Sequence, residues 1–318
     1  MNKLDSGFFV FSLDTELSTG FFDADEERSK LFSPDGSRER KAIRRLLDLM
    51  DEYDIQATWA LVGHLFYEKC EHCEICPVLD WKGKYSSFDE AYGTAHPLWY
   101  GADIVKEILE RDKHEIGFHG YTHNIFDEKT MSPAEAKIEI TEWLRAAARY
   151  GISARSITFP RGVAGYLSLL KENGFICYRT PDPTSIWTRN RYFGRYLKTL
   201  DHLLGISRLP IYSLEDHVIS PEGMIGLPGS MHIKEYWWLE QYMDDTDRHL
   251  ARFHRVIRGI HRAGYEKKIV HLWAHPWEFK TEKDFEKVRY IFKAVAEEQK
   301  QGRMRSITMS DLAGRISK

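Results

Sequence analysis

With 318 residues, of which 42% are hydrophobic and 29% charged, the chain has the composition of an ordinary folded protein, which excludes disorder, fibres and coiled coils. Its 45 basic and 48 acidic residues leave a net charge of -3, without the basic excess that nucleic-acid binding usually needs. No apolar run approaches the roughly 18 residues of a membrane-spanning helix, and the first residues lack the pattern of a signal peptide. We therefore expect a cytoplasmic protein with no nucleic-acid partner and no stable membrane insertion.

Short apolar runs rich in β-branched and aromatic residues alternate with helical patterns along the chain. The pattern predicts strands at Phe8–Leu13, Gln56–Val62, Glu115–His119, Ser156–Phe159, Phe175–Tyr178, Met224–Leu227, Lys268–Ala274 and Ser306–Met309. The best-marked helix starts at Ser132-Pro133-Ala134-Glu135, where a capping box is expected, and ends before Gly151. The alternation is typical of an α/β protein with a largely parallel sheet, and it predicts a single barrel-like domain over residues 1–318.

Two stretches interrupt this alternation, at residues 67–99 and 182–220. We expect loops inserted at strand ends, where active-site walls are built. The second insertion is rich in arginine, and its Arg189, Arg191 and Arg195, together with Arg179 just before it, could bind a phosphate group or form a solvated face. Aromatic residues at 99–100 and 236–238 could stack on sugar rings, although core packing is the more ordinary role.

The first insertion carries three cysteines, Cys70, Cys73 and Cys76, spaced three residues apart. This spacing predicts a second metal site with a structural role, with His72, His64 or Cys177 available as a fourth ligand. Three thiols without a metal are the alternative. Four cysteines in the whole chain suit a reducing compartment better than a disulfide framework.

Charged residues follow the first, third and late strands directly. Asp14 and Glu16 come at the end of the first strand, His119 and His123 at the end of the third, and His275 at the end of a late one. In a barrel, these carboxyl ends face the active-site mouth, so two imidazoles and a carboxylate can meet around one metal ion. Each motif alone fits a solvated turn or a packed histidine, and His271 is expected inside the core.

Taken together and in order, these motifs resemble the polysaccharide deacetylase superfamily (NodB-homology, carbohydrate esterase family 4). They are Asp14-Thr15-Glu16, the segment 114–123 with its His-x-x-x-His spacing, Phe159-Pro160-Arg161 and His275-Pro276-Trp277-Glu278. The resemblance covers nearly the whole chain. It is closest to the divergent branch with Asp-Thr-Glu-Leu and Leu-Trp-x-His-Pro motifs that is associated with bacterial surface-polysaccharide biosynthesis.

The resemblance implies a distorted (β/α)7 barrel with inserted loops, a divalent metal, usually zinc, and removal of an acyl group, most often acetyl, from an N-acylated sugar or glycan precursor. Carried over by position, Asp14 matches the catalytic base and His275 the catalytic acid, while His119 and His123 match metal ligands. Because Thr15 stands where the family usually has its metal aspartate, Glu16 is expected to take that place. Arg161 is expected to orient Asp14 or to bind substrate.

Two departures from the family pattern leave alternatives open. Besides Thr15, Thr158 occupies the place of the family's arginine, two residues before the proline. The chain could accordingly be a metal-independent hydrolase of a cyclic, non-sugar amide, or a carbohydrate-binding relative without activity. Retention of both the expected acid and the expected base favours an enzyme.

Overall fold

A computed structural model of the chain describes residues 5–21, 31–71, 95–183, 193–234 and 248–316. The described part contains ten strands. They are β1 (Gly7–Thr15), β2 (Thr58–Leu61), β3 (Glu115–Phe118), β4 (Ser156–Ile157), β5 (Cys177–Thr180), β6 (Val218–Ile219), β7 (Ile225–Pro228), β8 (Met231–His232), β9 (Ile269–Ala274) and β10 (Met304–Ile307).

The strands form one curled sheet in the order β6-β7-β5-β4-β3-β2-β1-β9-β8, with β10 also paired to β1. Every pairing is parallel except that of β6 with β7. Strand β7 pairs with β5 near one end of the strand order, and β8 pairs with β9 at the other end. Because the chain runs directly from β7 to β8, one short segment links the two ends of the sheet. The fold is therefore a mixed α/β half-barrel, and the prediction of a deacetylase-type barrel is confirmed.

Eight α-helices accompany the described strands. They are α1 (Ser37–Glu52), α2 (Ala102–Leu109), α3 (Pro133–Ala148), α4 (Leu167–Glu172), α5 (Gly194–Leu204), α6 (Arg248–Glu266), α7 (Glu282–Lys300) and α8 (Met309–Ile316). The predicted capping box of α3 is confirmed, since Ser132 Oγ accepts from the Glu135 backbone and Glu135 accepts from the Ser132 backbone. None of the described helices has the length and apolar character needed to cross a bilayer.

Successive side chains of β1 point to opposite faces of the sheet, so they contribute to two separate apolar layers. Phe9 and Phe11 pack on Phe292 of α7, in the layer between sheet and helices. Phe8 and Val10 point the other way and fill the base of the barrel with residues of β7 and α8. By the same alternation, Ser12 and Asp14 lie on the same face of β1 as Phe8 and Val10. This face is therefore apolar at the base of the barrel and polar at its mouth.

The structure departs from the predicted strands mainly in length and position. Strands β6 and β8 were not predicted because two residues are too short to show a periodic pattern. Strand β5 extends to the polar pair Arg179-Thr180, which the sequence pattern placed outside a strand. Of the first predicted insertion, residues 72–94 lie outside the described part, and of the second, residues 184–192 do.

Candidate functional site

The carboxyl ends of the parallel strands bring the chemically active side chains together. Leu13 of β1 pairs with Ala274 of β9, so Asp14 and His275 follow side by side. On the other flank, β1 pairs with β2 and β2 with β3, and His119 follows directly after β3. Residues far apart in sequence therefore meet at one edge of the sheet.

Asp14 is buried and held by Arg179 at the end of β5. The two carboxylate oxygens accept from Nη1 at 2.8 Å and from Nη2 at 2.6 Å, and Nη1 also donates to Ser12 Oγ at 3.0 Å. The guanidinium lies 4.2 Å from the ring centre of Trp273. Burial alone would raise the pKa of Asp14, but the charge of Arg179 and the nearby histidines lower it to about 2. Asp14 is thus ionised at neutral pH.

Glu16, His119 and His123 form a buried cluster. Glu16 Oε2 lies 3.1 Å from His119 Nε2 and 2.8 Å from His123 Nε2, and the three side chains each offer a ligand atom within 4.8 Å of the others. Burial raises the pKa of Glu16, yet the neighbouring histidines lower it well below its ordinary value. Burial lowers the pKa of His123 and favours its neutral form. One ionised carboxylate beside two imidazoles is a donor set that suits a divalent metal.

The orientation of His119 fits metal binding. Its Nδ1 lies 2.7 Å from the carbonyl oxygen of Thr158 and 2.9 Å from Thr158 Oγ1. A carbonyl only accepts, so Nδ1 carries a proton, and Nε2 is the ring atom that faces Glu16. Metal-ligating histidines commonly donate their second ring N–H to a backbone carbonyl in this way. Thr158 therefore positions the ring.

The turn between the two histidines is held by a buried carboxylate from α3. Glu139 Oε2 accepts from the backbone of Tyr121 at 2.7 Å and of Thr122 at 3.0 Å, while Oε1 accepts from Thr122 Oγ1. Within the turn, His123 has a positive φ of 62°, a conformation that costs energy for a residue other than glycine. Glu139 thus stabilises a strained turn that places His119 and His123 on one side.

His275 belongs to a second group with Glu278 and His232. Glu278 Oε2 lies 3.2 Å from His275 Nδ1 and 2.8 Å from His232 Nε2, and it accepts from the His275 backbone at 2.8 Å. His275 Nε2 lies 3.7 Å from Glu16 Oε1. Burial would lower the pKa of His275, but the Glu278 and Glu16 carboxylates raise it to about 9. His275 is therefore protonated at neutral pH.

These groups open into a cavity of about 570 Å³. Its wall combines charged side chains with aromatic ones: Asp14, Glu16, Phe21, His119, His123, Phe159, Arg161, Arg179, Asp182, Trp273 and His275. Asp182 is held in the wall by Trp273 Nε1, which donates to it at 2.9 Å. A volume of this size can admit a small ligand or one end of a larger one.

The remaining predicted residues take varied positions. Arg161 lines the cavity, while the orienting contact with Asp14 that was expected of it is made by Arg179. Arg179 is consequently engaged by a carboxylate instead of being presented to a phosphate. Thr15 points away from the cluster and donates to the Leu13 carbonyl at 3.2 Å, which leaves Glu16 as the second inward carboxylate. His271 is buried, as expected, with its Nε2 2.9 Å from Ser12 Oγ.

Several predictions concern residues that the structure leaves undescribed in whole or part. Cys70 is partly buried, whereas Cys73, Cys76 and the possible ligand His72 lie outside the described residues, so the second metal site stays a prediction. The same holds for Arg189, Arg191, the side chain of Arg195, and the aromatics Tyr236, Trp237 and Trp238. Trp99 and Tyr100 are buried in the core, so the packing role holds for both.

Sequence reasoning assigned no role at this site to Glu139, Glu278 or His232, and gave Arg179 a different one. A signal existed for Arg179, because an arginine directly after an apolar strand lies at the barrel mouth. Glu278 stood inside the quoted His-Pro-Trp-Glu motif. Glu139 had no distinguishing signal, since a buried glutamate in a helix looks like any other glutamate in a single sequence.

Comparisons with known proteins bear on the chain as a whole. Residues 31–174 match the family model described as polysaccharide deacetylase. This match includes His119 and His123 and excludes Asp14, Glu16 and His275. No curated protein matches the sequence.

Solved structures resemble the fold at low sequence identity. A Mycobacterium smegmatis protein assigned as a polysaccharide deacetylase superposes with a TM-score of 0.60 at 16% identity, over 98% of this chain and 91% of that one. Puue allantoinase gives 0.55 at 12% identity, over 97% and 90%. A Pseudomonas aeruginosa PAO1 protein with the deacetylase assignment gives 0.54 at 12%, over 98% and 91%.

Proposed function

We propose that this chain, which carries a polysaccharide deacetylase domain, is a metal-dependent hydrolase that removes an N-acyl group, acetyl in the first instance, from a sugar, sugar nucleotide or glycan precursor. One observation carries the proposal. A donor set of one carboxylate and two imidazoles, with ligand atoms within 4.8 Å of one another, lies beside an ionised Asp14 and a protonated His275.

Glu16, His119 and His123 would hold the metal, and zinc suits this mixture of oxygen and nitrogen ligands. When bound, a divalent cation polarises the acyl carbonyl and makes a nearby water easier to deprotonate. The hydrogen bond from His119 to Thr158 keeps the ligating lone pair directed into the cluster. Glu139 keeps the intervening turn in the conformation that the two histidines need.

Asp14 is the proposed general base, because it is ionised at neutral pH and lines the cavity. The guanidinium of Arg179 donates to both carboxylate oxygens of Asp14 and fixes their orientation. The carboxylate can therefore accept a proton from water only from a defined direction. His275 is the proposed general acid, which donates from Nε2 to the departing nitrogen while Glu278 holds Nδ1. Two titratable groups with pKa values driven apart in this manner are the expected pattern for an acid and base pair.

A cytoplasmic location belongs to the proposal. It is supported by the sparing use of cysteine, four in the chain, and by the buried free thiol of Cys177.

Metal content measured by elemental analysis tests the metal-dependent part. Protein purified without chelator is compared with His119→Ala and with His114→Ala, a control histidine at the opposite end of β3. We expect the native chain and His114→Ala to hold a divalent metal that His119→Ala loses. Cys73→Ala separates this metal from any held by the cysteines. Equal metal in all variants, or none in any, would contradict a metal site at Glu16, His119 and His123.

Acyl release tests the reaction itself. N-acetylated amino sugars and sugar nucleotides are incubated with metal-loaded protein, and liberated acetate is measured. Asp14→Asn is expected to lower the rate by about a hundredfold or more, in the range of general-base catalysis. Acetate release that survives Asp14→Asn would overturn the assignment of the base, and release that is unaffected by metal removal would favour a metal-free hydrolase.

A further inference from the structure

A second group of metal-ligating side chains lies beside the first. His232, His275 and Glu278 each offer a ligand atom within 4.8 Å of the other two. Glu278 Oε2 lies at the centre of the group, 2.8 Å from His232 Nε2 and 3.2 Å from His275 Nδ1. The two rings are almost perpendicular, with 88° between their planes, so they approach the same oxygen from different directions. We call these three residues the Glu278 triad.

The spacing of the Glu278 triad suits a small divalent cation. Zinc bonds to nitrogen and oxygen are about 2.0–2.1 Å long, so neighbouring ligand atoms in a tetrahedral site lie about 3.3 Å apart. The two distances to Glu278 Oε2 therefore need to widen by only about 0.5 Å or less to admit the ion. The same oxygen accepts from the His275 backbone at 2.8 Å, and an ionised carboxylate keeps further lone pairs for a cation.

Contacts outside the triad hold its ligands in position. The ring of His232 stacks on Trp273, with the ring centres 4.2 Å apart and 18° between the planes. The backbone of His232 donates to Asp182 at 3.1 Å. Glu278 is buried, whereas the side chain of His275 is 20% exposed and lines the cavity. The triad is thus ordered before any ion arrives, and an ion can reach it from the cavity.

We propose that the Glu278 triad binds a second divalent cation, zinc in the first instance, and that this ion blocks the hydrolase. The ion bonds to His232 Nε2, Glu278 Oε2 and His275 Nδ1, and Nδ1 releases its proton to solvent. The His275 ring then keeps only the hydrogen on Nε2 and is no longer an imidazolium, so it cannot protonate the departing nitrogen. The blocking role rests on the proposed function, whereas the binding site does not.

The two ligand sets fill in sequence because they adjoin at Glu16. Glu16 Oε2 faces His119 and His123, while its Oε1 lies 3.7 Å from His275 Nε2. An ion in one set therefore adds positive charge beside the other, and the second ion binds more weakly. The side chains of the first set are 2% to 5% exposed, so water competes less for its ligand atoms than at the triad. We expect the first set to fill first and inhibition to appear only at excess metal.

Equilibrium dialysis against zinc tests the binding site with the full chain, and elemental analysis gives the metal bound per chain. The test variants are His232→Gln and Glu278→Gln, which alter different segments of the chain. The matched control is His261→Gln, which alters another histidine and glutamate pair, 2.7 Å apart between α6 and α7. At excess zinc, we expect the native chain and the control to bind one zinc more than either test variant. Circular dichroism should show that all variants fold.

The same comparison in a His119→Ala background separates this site from the first one. There, the added His232→Gln substitution should still remove one zinc, whatever the first set binds. Equal zinc in the native chain and in both folded test variants, at every zinc concentration, would overturn the proposed site and leave Glu278 as a hydrogen-bond acceptor for two histidines.

Acetate release at increasing zinc concentration tests the blocking role. Zinc beyond the amount that fills the first set should lower the native rate by about tenfold or more, the contribution of a general acid. Relative to its own rate at low zinc, His232→Gln should need about tenfold more zinc for the same loss. Equal sensitivity of the two would overturn the blocking role. No acetate release by the native chain at any zinc concentration would contradict the proposed function and the blocking role with it, while the dialysis still decides whether the triad binds zinc.

Discussion

Replacing Glu139 should destabilise the turn between His119 and His123 far more than an ordinary surface mutation would. In Glu139→Ala, the two backbone N–H groups of Tyr121 and Thr122 and the Thr122 hydroxyl lose their acceptor inside the protein. Each buried donor left without a partner costs about 1–3 kcal/mol. Allowing for partial entry of water, we expect a loss of about 3–5 kcal/mol in the free energy of unfolding.

A graded series separates the carboxylate's hydrogen bonds from its bulk. In Glu139→Gln, the amide oxygen can still accept from the backbone while its NH₂ faces the hydroxyl of Thr122, so we expect a loss of only about 1 kcal/mol. Glu142→Ala on the same helix is the control. Its carboxylate accepts from the exposed Arg145 at 2.5 Å, a contact of about 0.5 kcal/mol.

Urea unfolding of the metal-free protein measures all three variants, and cation titration measures their affinity for the metal. Glu139→Gln should also weaken metal binding by about tenfold, because the turn that presents the ligands is less well held. If Glu139→Ala loses no more stability than Glu142→Ala, the carboxylate does not hold the turn, and the reasoning fails.

Three further substitutions probe the cavity. Arg179→Lys replaces the two hydrogen bonds from the guanidinium to Asp14 with a single ammonium contact. In acetate-release assays, kcat should fall by about tenfold or more with little change in KM. An unchanged kcat would show that the two-fold contact is dispensable. Glu278→Gln removes a charge that raises the pKa of His275. The loss of kcat at high pH should therefore begin at least about one pH unit lower than in the native enzyme. An unshifted pH profile would exclude His275 as the general acid. Gly20→Ala would put a methyl group 2.4 Å from the Glu16 carboxylate, and elemental analysis should find metal lost, whereas full retention would show that the turn can yield.

Much of the fold could be predicted from the sequence because its strands are long and apolar enough to show periodicity. Strands β1 and β9 and helix α3 lie close to their predicted bounds, since burial and capping act locally there. Strands β6 and β8 could not be predicted, because two residues carry no period, and β8 also depends on pairing with the distant strand β9.

The site was predictable to the extent that strand ends converge. The positions of Asp14, Glu16 and the two histidines follow from that rule alone. The partner of Asp14 does not follow from it, because Arg161 comes after β4 and Arg179 lies at the end of the neighbouring β5, and the sequence does not show which guanidinium reaches the carboxylate. Side-chain reach across a curved sheet is a tertiary property that one sequence does not display.

The wide separation of the site residues along the chain has a consequence for how the protein folds. Glu16 and His119 are 103 residues apart, and Ser12 meets His271 across 259 residues. Closing such long loops costs chain entropy before any contact repays it, and topologies of this kind fold slowly. The donor set therefore comes into being only when β1, β2 and β3 have paired, and uptake of a metal would report the formation of this part of the sheet during refolding.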